Sequence, residues 1–161
     1  MSDKIRFGIL GCGTIAGFHA DAIGSIEDAQ LVGVASASAE KARQFAKKYD
    51  VKAYADYAAM LADEAIDAVC ICTPSGFHAD NALQALRAGK HVVLEKPMAF
   101  TREQTREICD EVEKSGCKMT VICQLRFSEN VRKVKQMLAD KVFGKLVFCD
   151  LYMKYWRNTQ Y

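Results

Sequence analysis

Ile5-Arg6-Phe7-Gly8-Ile9-Leu10-Gly11-Cys12-Gly13-Thr14-Ile15-Ala16 is the stretch of this chain that predicts its fold. An apolar run of strand length comes first, and a Gly-x-Gly-x-x-Ala turn follows it directly. In such a turn Gly11 permits a tight bend, Gly13 lets the backbone approach a pyrophosphate, and Ala16 lets the next helix pack closely on the strand. The phosphates would meet the amides of a helix that begins near Thr14 and Ile15. We therefore predict a dinucleotide-binding turn.

After this turn, apolar runs of strand length alternate with amphipathic segments of helix length. The predicted strands are residues 5–10, 30–35, 52–54, 68–72, 91–95 and 118–123. Their nearly continuous apolar character is typical of strands that helices cover on both faces. Thr101 and Gln104 form a capping-box pattern, and Gly89 and Gly116 mark helix ends. The pattern predicts an α/β fold with a doubly wound parallel sheet, the Rossmann architecture.

The pattern changes near residue 124. Residues 127–139 are a predicted helix, and residues 145–156 form a long extended run that is rich in aromatic side chains. We predict a dinucleotide-binding domain over residues 1–124, followed over 125–161 by the first helix and strand of a truncated substrate or oligomerisation domain. Because that strand has no later strand to pair with, we expect a homo-oligomer through this C-terminal strand.

Composition excludes several classes of protein. The chain has 22 Lys and Arg against 20 Asp and Glu, a net charge of +2, so it lacks the basic excess of a nucleic-acid binder. No stretch approaches the roughly 18 apolar residues that span a membrane, and the charged first residues lead us to expect a soluble protein without an export signal. The seven cysteines are odd in number and most lie in apolar runs, which indicates free buried thiols in a reducing cytoplasm. The spacing of cysteines and histidines predicts no metal site.

The choice of cofactor depends on the end of the second predicted strand. About 20 positions after the glycine turn, NAD-binding versions of this motif usually carry an acidic residue that binds the adenosine ribose. Here that place is Ser36, so no carboxylate would repel a 2′-phosphate. Ser36 and Ser38, with Lys41 or Arg43, could accept one, which favours NADP over NAD. The alternative for Ser38 is that it merely caps the next helix.

Two further segments follow predicted strand ends, Thr73-Pro74-Ser75-Gly76-Phe77-His78 and Glu95-Lys96-Pro97. In an open α/β sheet the ligand crevice runs outside the carboxyl ends of the strands, so we expect both segments to converge with the glycine turn. A lysine there can donate a hydrogen bond to a substrate hydroxyl, and can take part in proton transfer when it is desolvated. The alternative for Lys96 is a solvated surface charge.

Four pieces of the chain, in this order and spacing, resemble the glucose–fructose oxidoreductase/inositol dehydrogenase/rhizopine catabolism family (Gfo/Idh/MocA). They are Gly11-Cys12-Gly13-Thr14-Ile15-Ala16, Cys72-Thr73-Pro74-Ser75-Gly76-Phe77-His78, Ala88-Gly89-Lys90-His91-Val92-Val93-Leu94-Glu95-Lys96-Pro97 and Gln124-Leu125-Arg126-Phe127. The resemblance covers essentially the whole chain. It implies a nucleotide domain followed by a larger α/β domain, acting with NAD(H) or NADP(H) on sugars, inositols or related polyols.

The resemblance also implies roles for individual residues. Lys96 would lie near the nicotinamide and the oxidised carbinol, on a turn that Glu95 and Pro97 shape and whose Lys–Pro bond is often cis. The remaining cofactor-cleft positions that it implies are Thr73, Pro74, His78 and Gln124. The substrate-side positions that it implies, besides Lys96, are Arg126, Trp156 and Arg157, although the aromatic run that contains Trp156 also has an explanation as core or interface.

We interpret the chain as the nucleotide-binding part of a dehydrogenase that acts on CH–OH groups. The family's partners of the lysine lie in the second domain, so we expect the chain alone to bind cofactor and to turn over little or nothing. One alternative is a non-catalytic module that senses a dinucleotide or binds a partner. A second is that the glycine turn holds no nucleotide at all.

Overall fold

A computed structural model describes residues 4–159 of the chain, which divides between Cys123 and Gln124 into two units. The elements of the first unit are β1 (Ile5–Leu10), α1 (Thr14–Gly24), β2 (Ala29–Ala35), α2 (Ala39–Tyr49), β3 (Lys52–Ala53), α3 (Tyr57–Leu61), β4 (Ala68–Ile71), a 3₁₀ turn (Ser75–Phe77), α4 (His78–Arg87), β5 (His91–Glu95), α5 (Arg102–Ser115) and β6 (Met119–Ile122). Those of the second unit are a 3₁₀ turn (Gln124–Phe127) and α6 (Glu129–Ala139). The assignment of the second unit to a substrate domain stays a prediction.

The six strands form one sheet in the order β3-β2-β1-β4-β5-β6, and every neighbouring pair is parallel. This order confirms the predicted doubly wound sheet, and each of the six strands predicted between residues 5 and 123 is found with its ends shifted by one residue at most. The order in which strands are added reverses between β1 and β4: β2 and β3 lie on one side of β1, and β4, β5 and β6 lie on the other. Ligands of doubly wound proteins bind outside the carboxyl ends of the strands at this reversal.

Apolar side chains cover the sheet on both faces, because successive strand residues point to opposite sides. Ile9 of β1 and Cys70 of β4 belong to the cluster that α1 and α2 cover, with Ala16 and Ala46 facing them. Leu10 and Ile71, the next residues along these strands, belong to the opposite cluster, which α3, α4 and α5 cover. The continuous apolar runs of the sequence are therefore explained by burial on two sides.

The helix ends follow the signals in the sequence. The Thr101 side chain accepts from the Gln104 amide, and the Gln104 side chain accepts in return from the Thr101 amide, so the predicted capping box is formed. Gly89 and Gly116 have φ values of 72° and 68°. These left-handed conformations end α4 and α5 and suit glycine because it has no Cβ.

All seven cysteines are free. Cys70, Cys72 and Cys117 are buried as expected, and Cys12 is half-buried. The expectation of burial is wrong for the other three, Cys109, Cys123 and Cys149, which are exposed. Within residues 4–159, no helix is long and apolar enough to cross a membrane, and no group of three or more potential metal ligands comes together.

The strand predicted over residues 145–156 is absent. These residues follow α6 in the second unit and pair with no strand among residues 4–159. The physical reason is that an extended segment becomes a strand only through hydrogen bonds to a neighbour. Its apolar side chains stay exposed instead, among them Val147, Leu151 and Trp156.

Asp63, in the turn between α3 and β4, anchors an edge of the sheet through its carboxylate. Lys52 Nζ and the Tyr54 hydroxyl both donate to Asp63 Oδ2 over 2.8 Å, and the Ala65 amide donates to Oδ1 over 2.8 Å. These hydrogen bonds, that from Lys52 first, hold the pKa of Asp63 well below its usual 3.8. The ionised form is therefore favoured by folding.

We predict that Asp63→Asn lowers the free energy of unfolding at neutral pH and flattens its acid dependence. A carboxyl whose pKa is depressed by folding contributes stability above its unfolded value, about pH 4, and loses it as the pH falls through the folded value. Denaturant unfolding from about pH 7 to pH 2.5 measures both effects. Asp110→Asn, at an exposed carboxylate of α5, is the matched control. Parallel pH curves for wild type and Asp63→Asn would contradict the prediction.

Candidate functional site

The glycine turn after β1 packs directly on the end of β4. The Gly11 amide donates to the Ala35 carbonyl over 2.8 Å, and Gly11 has a φ of 94°. A Cβ at Gly11 would lie 2.7 Å from the Cys72 carbonyl oxygen and 3.0 Å from the Thr73 nitrogen. A side chain therefore cannot be accommodated here without moving the backbone of one of the two strands.

The start of α1 is open, in contrast to the crowded Gly11. Gly13 is the N-cap residue of α1, and a Cβ there would meet no atom within 4 Å. No side chain caps this end of the helix, and no acidic residue lies in its first turn. The amides after Gly13, which include those of the exposed Thr14 and the half-buried Ile15, carry the partial positive charge of a helix N-terminus. Ala16 is fully buried against the sheet and allows this close packing.

Two serines lie at the end of β2. The Ser38 side chain accepts from the Lys41 amide over 3.4 Å, so Ser38 is the N-cap of α2, which was the alternative explanation for it. The Ser36 side chain accepts from the Ser38 amide over 3.4 Å. A hydroxyl that accepts in this way still has its own proton to donate. The Arg43 guanidinium donates to Glu40 over 2.9 Å, whereas the Lys41 side chain is exposed.

His78 joins the turns that follow β4 and β5. Its ring is buried, with Nε2 2.9 Å from the Thr73 carbonyl oxygen and Nδ1 2.7 Å from the Pro97 carbonyl oxygen. The Thr73 hydroxyl accepts from the Asn81 side chain over 3.0 Å, a contact that sequence reasoning missed. Pro74 is exposed beside Thr73. The two strand-end segments thus converge, through contacts made at their backbone.

The Glu95-Lys96-Pro97 turn contains a cis bond between Lys96 and Pro97, in agreement with the resemblance. The Glu95 side chain is 8% exposed, and its Oε1 accepts from His19 Nε2 of α1 over 2.9 Å. Its other oxygen accepts from the Lys96 amide over 3.3 Å. Lys96 itself is exposed, and its ammonium makes no ion pair within residues 4–159.

Sequence reasoning missed the role of His19 beside Glu95. The signal that could have found it is Glu95 itself, because a carboxylate that ends a buried strand needs a hydrogen-bond donor. The periodicity of α1 brings Ala16, Ala20 and Ile23 to its buried side, and His19 is adjacent to that face. The sequence could therefore have named His19 as one of few candidate donors.

Buried thiols surround the turns. Burial first, and the nearby Glu95 carboxylate second, raise the pKa of Cys70 to about 12. Burial is also the main cause of the raised pKa values of Cys72 and Cys12. These thiols are protonated at neutral pH, so they pack as small apolar groups and are not nucleophiles.

Lys90 and His91, near the start of the Ala88–Pro97 block, have structural partners far from the carboxyl edge of the sheet. Lys90 Nζ donates to the carbonyl oxygens of Asp63 and Ile66, over 3.0 and 2.8 Å. His91 Nδ1 accepts from the Lys118 amide over 3.0 Å. Both residues lie at the amino end of β5, where Lys90 stabilises the loop before β4. Only the last residues of the block, Glu95 to Pro97, lie at the carboxyl edge of the sheet.

Four predicted site residues lie in the second unit and are exposed there: Gln124, Arg126, Trp156 and Arg157. Arg157 donates to the Trp156 carbonyl over 3.1 Å, and its guanidinium lies 5.2 Å from the centre of the Tyr155 ring. Their expected roles, in the cofactor cleft for Gln124 and on the substrate side for the other three, stay predictions.

Comparison with known protein families identifies most of the chain. The model of the GFO_IDH_MocA oxidoreductase family, described as an NAD-binding Rossmann fold, matches residues 5–123. The match covers every strand of the sheet and every strand end described above.

Individual relatives are similar over nearly the whole chain. D-glucoside 3-dehydrogenase of Escherichia coli is 34% identical over 90% of this chain, and the NADP(+)-dependent scyllo-inositol 2-dehydrogenase of Bacillus subtilis is 34% identical over 83%. The crystal structure of the WlbA dehydrogenase of Chromobacterium violaceum, in complex with NADH and UDP-GlcNAcA, superimposes with a TM-score of 0.85 at 31% identity over 89% of this chain. The chain covers only 42%, 41% and 42% of these three proteins.

We predict that Gly11→Ala lowers the free energy of unfolding by about 2–4 kcal/mol, because it combines a left-handed backbone with an overlap on the Cys72 carbonyl. Gly13→Ser is the control, since Gly13 has a φ of −86° and open space. A serine N-cap there should change stability by less than about 0.5 kcal/mol. Denaturant unfolding compares the two variants, and equal stability of Gly11→Ala and wild type would show that the close approach is not required.

Proposed function

The chain belongs to the Gfo/Idh/MocA oxidoreductase family, and from that premise we propose that it binds NAD(H) or NADP(H) along the carboxyl edge of its sheet. In the whole protein, this cofactor would exchange a hydride with a hydroxyl-bearing carbon of a sugar, inositol or related polyol. The observation that carries the proposal is the open N-terminus of α1 at Gly13. The close packing of Gly11 on Cys72 holds this helix end beside the point where the strand order reverses, between β1 and β4.

The residues present fit a dinucleotide. The uncapped amides after Gly13 and the empty space at its Cα suit a pyrophosphate, which is anionic and approaches backbone closely. When bound, the nicotinamide would supply the hydride acceptor or donor. Thr73 and Pro74 would line the cleft beside it, with His78 holding their turn against Pro97.

Lys96 is the residue that we propose to meet the substrate. It follows the last residue of β5, at the same sheet edge as the glycine turn, and its side chain is exposed. An ammonium at that place can donate a hydrogen bond to the substrate hydroxyl while the carbon that bears this hydroxyl gives up its hydride. The chain alone should bind cofactor without appreciable turnover, because proton transfer and substrate orientation also need residues of a second domain.

We further propose a preference for NADP(H). Ser36, and not a carboxylate that would repel a 2′-phosphate, directly follows β2. The hydroxyls of Ser36 and Ser38 can donate to a phosphate oxygen. The nearby Lys41 side chain adds a positive charge. The scyllo-inositol dehydrogenase named above, which uses NADP(+), lends support from a relative.

For partners and compartment, we propose that the second unit associates with another copy of the chain, and that the protein works in the cytoplasm. Val147, Leu151 and Trp156 are 90%, 82% and 83% exposed, and apolar side chains concentrated in one segment favour association. Seven free thiols suit a reducing compartment.

Calorimetric titration with NADH and NADPH tests the cofactor proposal. Wild type should bind both, NADPH more tightly, while Gly13→Ser should lose binding by about tenfold or more because its side chain occupies the space of the pyrophosphate. Gly24→Ser is the matched control, since Gly24 ends α1 and also has open space around its Cα. Retained binding in Gly13→Ser, or no binding by wild type, would contradict the proposal.

Ser36→Asp in the same titration tests the preference. A carboxylate there should weaken NADPH by about tenfold or more through charge repulsion and leave NADH equal or tighter. Tighter binding of NADH than NADPH by wild type would make the chain an NAD-binding protein instead.

Self-association is tested by light scattering over about 1 to 100 μM, where a weak dimer shows a concentration-dependent mass. Wild type should be dimeric or larger at the upper end. The double variant Val147→Asp with Leu151→Asp should be monomeric, because it places charge within the apolar segment. A wild type that stays monomeric throughout would refute the association.

A further inference from the structure

We propose that His19 is a positioning residue for Lys96, acting through Glu95. The inference rests on the proposed function, because the orientation of Lys96 matters only if it meets the nicotinamide and substrate. It adds a side chain of α1 to the turn that follows β5.

The contact between His19 and Glu95 is short and largely buried. His19 Nε2 lies 2.9 Å from Glu95 Oε1, and the two side chains are 11% and 8% exposed. A carboxylate oxygen only accepts here, so the imidazole donates from Nε2. Among residues 4–159, His19 is the only side chain that hydrogen-bonds Glu95.

The contact continues to Lys96. Glu95 Oε2 accepts from the Lys96 amide over 3.3 Å, so one carboxylate joins the ring of His19 to the backbone of the lysine. Glu95 closes β5, where its neighbours Val92 and Leu94 are buried and constrain its backbone. With Oε1 held by His19, the carboxylate has one orientation in which Oε2 meets the Lys96 amide. Removing the donor frees that rotation.

The position of His19 couples this turn to the glycine turn. His19 lies on α1, whose first residues follow Gly13, and α1 packs its small residues Ala16 and Ala20 directly on the sheet. The same helix therefore carries the uncapped amides at its start and, farther along, the side chain that donates to Glu95.

Amide hydrogen exchange at Lys96 in the chain without cofactor tests the positioning. We expect His19→Leu to speed this exchange about tenfold, the factor that one hydrogen bond to a charged group is worth, and His19→Gln to restore it, because its side-chain amide can donate to Glu95. His91→Gln is the matched control at the opposite end of β5. Unchanged exchange in His19→Leu, or no rescue by glutamine, would overturn the proposal.

An NMR spectrum of the histidine ring nitrogens of wild type keeps the test decisive if His19→Leu does not fold. His19 should carry its proton on Nε2 and show a coupling to the Glu95 side chain. A ring protonated on Nδ1 alone would overturn the proposal by itself.

Binding of NADH and of ADP-ribose then separates positioning from a general structural effect. His19→Leu should weaken NADH about tenfold and leave ADP-ribose unchanged, because ADP-ribose lacks the nicotinamide that faces the Lys96 turn. Equal loss of both ligands, or no loss of NADH, would overturn the positioning role. If wild type binds neither ligand, the proposed function of the chain fails, and the exchange experiment still decides the role of His19.

Discussion

The close approach of the glycine turn to the end of β4 is the constraint on which the rest of the site depends. The sheet order reverses between β1 and β4, so the chain leaving β1 must turn over its neighbour with no room for a side chain. Gly11 meets this demand with a φ of 94° and no side chain, since a Cβ there would lie 2.7 Å from the Cys72 carbonyl oxygen. That approach directs the N-terminus of α1, with its uncapped amides, toward the crevice in which doubly wound proteins bind their ligands.

The turns that follow β4 and β5 are held mainly by contacts to their backbone. His78 reaches the carbonyl oxygens of Thr73 and Pro97, and Glu95 accepts from the Lys96 amide. This arrangement leaves Lys96 exposed and available, while the atoms on either side of it are fixed. A site on rigid, internally bonded turns loses little conformational freedom when it binds a ligand.

Much of the fold was predictable from the sequence, whereas part of the site was not. The six strands, the capping box at Thr101 and the glycine helix ends are local patterns, and all are found. The strand over residues 145–156 was predicted from the same kind of pattern and is absent, because pairing needs a neighbour that residues 4–159 do not offer. Ser38 illustrates a third case, since its cap was foreseen and its hydroxyl is still available to a ligand.

Local sequence patterns specify the alternation of strands and helices, the turn at Gly11 and the place of Lys96 after a buried strand. These depend on residues within a few positions of one another, and on the period of apolar side chains. Tertiary packing selects which polar groups meet, because His19 and Glu95 are 76 residues apart in the chain and Arg6 and Asp67 are 61 apart. Strand order and register bring such pairs together, and no local pattern encodes either. The sequence indicates that a buried carboxylate such as Glu95 needs a hydrogen-bond donor, but the packing of a helix distant in the chain, α1, determines that the donor is His19.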